Sequence, residues 1–243
     1  MLITFFLLLF ALPTAHHTEF LHRISTPVRP PILVLISPGW TEQMVYPLLK
    51  HLWMEGFSVW SLRFAIHAQD LEQMSQSLEE ALDVHTNPVV VAHGLSSLIV
   101  LSTISKTTSN IRGVAFLGAP IKPFCSPHFK EALQKNSWES FPRFPIENAS
   151  PTFHQLTYEW CIGEHSTDEI LDIPHVWSAT TNTHPMAPPE SIRPHLSKQH
   201  RFVRSGPLAL HGREPQAHEL ISHHPTLNDL STWLWHNTPW KNP

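Results

Sequence analysis

The chain has 243 residues, a formal net charge of −4 and only 15% charged residues. It contains no basic block, so wholesale nucleic-acid binding is excluded as its role. The length suits one α/β domain with a full hydrophobic core, and the 23 prolines, gathered in connections and in mid-chain, predict long stiffened loops there.

In chain order, residues 1–12 read MLITFFLLLFAL and are followed by Pro13-Thr14-Ala15. This is the apolar region of a signal peptide with a small residue for cleavage, or a retained N-terminal anchor. Residues 1–15 are therefore set aside from the fold, which is expected over residues 30–237. The segment implies export, periplasmic or secreted, and membrane contact only if it stays uncleaved.

The run ILVLIS at residues 32–37 predicts a strand buried on both faces. Pro38-Gly39-Trp40 breaks it, and Thr41 is a candidate N-cap for a helix to Met54 that Pro47 would kink or delay. FSVWSLRF, residues 57–64, is the next strand. Residues 70–84 form an amphipathic helix with Leu71, Met74, Leu78 and Leu82 on one face. PVVVAHGLSSL, residues 88–98, is a β-branched strand, a tight turn at Gly94, then a helix to Ile104 that is apolar on nearly every side.

IRGVAFLG, residues 111–118, is another central strand. Residues 122–172 lose the pattern and are rich in Pro, Phe and Trp, as expected for an irregular cap insertion. Strands resume at residues 174–180 and 200–205, with a short helix from Pro188 between them, and residues 227–235 close the chain as a helix. Strands alternating with helices predict a three-layer α/β domain with a mainly parallel sheet of about six strands. Cys125 and Cys161 either form one disulfide or stand unpaired.

Five segments in this order resemble the α/β-hydrolase superfamily of serine esterases and lipases. ILVLISPGW resembles its oxyanion strand and loop, PVVVAHGLSSL its nucleophile elbow, and IRGVAFLGAP the strand after the nucleophile helix. ATTNTHPMAPPES resembles its acid loop, and HELISHHPTLNDLSTW, residues 218–233, its catalytic-histidine segment. The elbow usually reads small-x-Ser-x-small, with the serine exposed at the apex. Here the resemblance puts Gly94 at the nucleophile position, and glycine has no group that can attack a carbonyl. His218 matches the base, which in an active relative takes the nucleophile's proton. His184 falls where the acid belongs, or Thr183 with a one-residue shift, and residues 180–189 contain no Asp or Glu. The oxyanion donors are main-chain N–H groups, and the matching residues are Trp40 and Leu95.

The resemblance therefore implies a pseudo-hydrolase that keeps a ligand or partner site, with a small acyl or amphipathic molecule as the expected ligand. An active carboxylic-ester hydrolase would need a displaced nucleophile. Ser96 is the foremost candidate, although a shifted elbow would set Leu98 at a small-residue position; Cys125 is another. Histidines gathered in the last third, among them His184, His195, His200, His211, His218, His223 and His224, raise a metal-binding alternative. They include no His-Glu-x-x-His and no i, i+4 pair with a carboxylate partner, so no metal or cofactor is expected. A purely structural or interaction role is the remaining alternative.

Overall fold

The β-branched and aliphatic runs identified above become the middle of one sheet. In the computed structural model, which describes residues 15–20, 30–38, 40–64, 71–104, 111–119, 131, 173–181, 200–204, 215 and 217–237, seven strands are present. They are β1 (Ala15–Glu19), β2 (Ile32–Ile36), β3 (Val59–Phe64), β4 (Val89–His93), β5 (Gly113–Leu117), β6 (His175–Thr180) and β7 (His200–Arg204). Their spatial order is β1-β3-β2-β4-β5-β6-β7. Only β1 is antiparallel, pairing with β3 from Ala15 opposite Phe64 to Glu19 opposite Trp60. The other neighbours pair in parallel.

The described helices are α1 (Glu42–Met54), α2 (Leu71–Asp83), α3 (Ser96–Ile104), the 3-10 helix η1 (Ala217–Ser222) and α4 (His224–Asn237). Successive strand residues point to opposite faces, and this divides the core in two. Leu33, Leu35, Val90, Ala92, Val114, Phe116 and Val176 pack with α2 and α3. Ile32, Val34, Ile36, Val89, Val91, Ala115, Leu117 and Trp177 pack with α1, η1 and α4. The result is the three-layer α/β architecture expected from the alternation of elements.

Two details differ from expectation. The sheet has one strand more than six, because Ala15–Glu19 adds an antiparallel edge. Its sequence, AHHTE, carries no strand-like apolar run, and Ala15 falls within the N-terminal segment that the sequence sets apart from the fold. Helix α1 runs unbroken through Pro47. Pro47 and Gln43 both lie on the exposed side of α1, so water can serve the carbonyl that the missing N–H leaves free. The expected cap insertion at residues 122–172, apart from Glu131, lies outside the described residues, as do Cys125 and Cys161.

Candidate functional site

Strand β4 is central, flanked by β2 and β5, so the turn after it opens beside the turn after β2. Gly94 follows β4 with φ +57°, a left-handed conformation that glycine adopts without the penalty a Cβ brings. Its N–H donates to Leu117 O at the end of β5, at 3.0 Å. Its carbonyl accepts from the Ser97 N–H at 3.2 Å and from Ser97 Oγ at 2.8 Å. The chain thus makes the sharp strand-to-helix turn that the sequence predicts at Gly94.

Three serine hydroxyls surround this turn, and none is open to solvent. Ser96 is fully buried. Its Oγ accepts from the His93 N–H at 2.9 Å and directs its single proton between His93 O at 2.9 Å and Leu35 O at 3.2 Å. Ser97 is also fully buried, at the first turn of α3. Ser37, 3% exposed at the end of β2, donates its hydroxyl to His93 O. The His93 carbonyl is therefore held from both sides, by Ser37 of the β2 loop and by Ser96 of α3.

The loop after β2 closes on itself. The Trp40 N–H donates to Ser37 O at 2.9 Å. The Trp40 ring lies against the His93 ring with centroids 4.6 Å apart and planes 53° from parallel. Of the two oxyanion donors expected from sequence, the Trp40 N–H is thus already engaged within its own turn. No described residue accepts from the Leu95 N–H. Leu95 precedes the first residue of α3, where N–H groups and the helix dipole favour an anion or a carbonyl oxygen. Gly39 lies outside the described residues.

His218 stands in η1, whose Leu220 and Ile221 are buried in the core layer shared with α1 and α4. Helix η1 packs against α1, α4 and strands β5 and β6, which fixes the backbone that carries His218. The next corner is held by His223, 3% exposed, whose Nδ1 lies 2.7 Å from Thr226 Oγ1. Desolvation lowers the pKa of His223, and the neighbouring His224 adds to this while Glu219 opposes it. His184 and Thr183 lie outside the described residues. Among the described residues, no group of three or more His, Cys, Asp or Glu is arranged to hold a metal ion.

Sequence reasoning did not single out Ser37, although it stands directly between a buried strand and the Pro38-Gly39 break. Nor did it find the Trp40–His93 contact, which joins loops 53 residues apart in the chain (93 minus 40).

No protein-family model matches the chain, and no curated protein matches it in sequence. Solved structures do match its fold. A monoacylglycerol lipase from Paleococcus ferrophilus is 16% identical with a TM-score of 0.64, covering 92% of this chain and 99% of its own. A lipase-esterase related protein from Clostridium acetobutylicum is 12% identical with a TM-score of 0.66, covering 91% and 100%. A bromoperoxidase from Bacillus anthracis is 12% identical with a TM-score of 0.65, covering 91% and 95%. At these identities the likeness establishes an α/β-hydrolase-like fold, and the different chemistries named show why the site must decide function.

Proposed function

We propose that this hydrolase-fold protein has lost serine-triad catalysis and keeps the elbow as a binding site. The ligand is an acyl or other amphipathic molecule that presents a carbonyl or carboxylate oxygen. The observation that carries the reading is the turn at Gly94, which has the left-handed geometry of an elbow apex and no side chain there. The Leu95 N–H at the start of α3 supplies a donor for such an oxygen. In sequence, the expected cap insertion carries Phe124, Phe129, Trp138, Phe141, Phe144 and Trp160, an aromatic composition suited to an apolar ligand.

Gly94 supplies no nucleophile and His184 no carboxylate, so the triad in which the resemblance makes His218 the base lacks the chemistry of its other two members. The reading of Ser96 as a displaced nucleophile is disfavoured by its burial and by its three main-chain partners. Attack on a carbonyl would require Ser96 to leave all three. The apolar segment at residues 1–15 supports export as the setting in which the ligand is met.

The test pairs a negative with a positive measurement. The purified protein is expected to show no turnover of short acyl esters and no adduct with a serine-directed phosphonate by intact mass. Fatty acids and their esters are expected to raise its Tm. Stoichiometric phosphonate labelling at Ser96 would replace the proposal with an active esterase. No thermal shift with any acyl ligand would leave a structural or interaction role.

A further inference from the structure

We infer that Ser37 is the positioning residue that holds position 94 as a glycine. A Cβ built on Gly94 would lie 3.1 Å from Ser37 Oγ, and no other described atom beyond the adjoining residues comes within 4 Å of it. That separation is tighter than ordinary carbon–oxygen contact, so Ser37 would have to yield. Its hydroxyl cannot yield freely, because it is 3% exposed and donates to His93 O. Turning it away breaks that bond and leaves a buried hydroxyl without its acceptor. The main chain of Ser37 is also restrained. Its carbonyl accepts from the Trp40 N–H, and Trp40 in turn lies on the His93 ring. Loop and elbow thus form one packed unit in which the Ser37 hydroxyl fills the room of a side chain at the apex.

The consequence reaches beyond packing. A hydroxyl restored at the apex presses on Ser37, so the effects of changes at the two positions are coupled. Either change alone damages the turn. Backbone strain at φ +57° also disfavours a side chain at Gly94, but strain depends on residue 94 alone. The Ser37 clamp depends on both residues, and this separates the two explanations.

The experiment is a double-mutant cycle read by thermal unfolding: the parent chain, Ser37→Ala, Gly94→Ser, and the combination, with Gly94→Ala and its combination as a second series. Ser37→Ala keeps the Cβ and removes only the hydroxyl. In the parent it is expected to lower Tm by about 2–4 °C, from loss of one buried hydrogen bond. In the Gly94→Ser and Gly94→Ala backgrounds the same change is expected to raise Tm by about 2 °C or more. A shift of the same sign and size in every background would overturn the inference and leave backbone strain as the whole reason for Gly94. If the single changes at Gly94 yield no soluble protein, recovery of soluble protein on adding Ser37→Ala supports the clamp, and continued insolubility refutes it. The cycle reads packing alone, so a failed ligand screen leaves it standing.

Discussion

At the turn around Gly94, three buried serine hydroxyls bond the main chain; on the flank formed by β6, β7 and α4, buried polar side chains bond one another. Ser37, Ser96 and Ser97 all bond main-chain groups of His93 or Gly94. On the flank, Ser178 Oγ lies 2.8 Å from His200 Nε2, while His200 Nδ1 is buried with no hydrogen-bond partner among the described residues. Trp177, fully buried, donates its indole N–H to Asp229 Oδ1 at 2.8 Å, and Asp229 also pairs with Arg201. Neutral hydroxyls bonded to backbone are indifferent to pH. Imidazoles are not. The serine contacts at the turn are therefore set by geometry, while the flank carries a half-buried imidazole whose charge state depends on pH.

The elbow side breaks first when a hydroxyl is removed. Ser96→Ala takes the acceptor from the buried His93 N–H and one donor from His93 O, and is expected to destabilise the protein by about 3 kcal/mol. Urea unfolding at neutral pH measures it, with the midpoint falling at unchanged slope. A loss below about 1 kcal/mol would mean that water reaches the turn and that Ser96 is not sealed.

The flank is sharpened by titration. Desolvation pushes the His200 pKa down to about 4 from 6.5. The unfolded chain then binds a proton that the folded chain refuses, so stability is fully present above pH 6.5 and falls as pH drops from 6.5 toward 4. The share from His200 is on the order of 2 kcal/mol once solvent screening is allowed for. His51, His175 and His223 are shifted in the same direction, mainly by desolvation. His200→Gln, which can still bond Ser178 and does not titrate, should flatten the fall in unfolding free energy between pH 6.5 and 4. An unchanged slope would assign the pH response to the other histidines.

The smallest effect separates charge from hydrogen bonding on α4. Asp229→Ala removes the acceptor of a buried indole and is expected to lose about 1.5 kcal/mol. Asp229→Asn keeps an acceptor for Trp177 and gives up only the exposed pair with Arg201, a loss of about 0.5 kcal/mol. Equal losses for the two variants would show that the ion pair, not the indole bond, holds α4 to the sheet.

The parts legible in the sequence were those whose cause is local. ILVLI, VVVAH and GVAFL announce β2, β4 and β5 because strands buried on both faces need unbroken apolar runs. The turn at Gly94 was legible because few residues other than glycine take φ > 0 readily after a buried strand. Strand β1 was hidden because AHHTE forms a strand only through pairing with β3, and its first residue borders the apolar segment. The engagement of the Trp40 N–H by Ser37 O was hidden because spacing alone does not reveal how a three-residue turn closes. The clamp of Ser37 on His93 O joins residues 56 apart, and the Trp177–Asp229 bond joins residues 52 apart. No periodicity carries such information.

The edge position of β1 also sets an order of assembly. Glu19 ends β1 and Val59 begins its partner, roughly 40 residues later by subtraction. At a synthesis rate of about 5–20 residues per second, β1 waits roughly 2–8 s for the strand that will receive it. During that interval Ala15–Glu19 is a short polar stretch with two histidines and a glutamate, poorly suited to pair with other chains. The N-terminal edge therefore joins the sheet only after β3 exists, so the outermost strand is a late addition to a core that the central strands build.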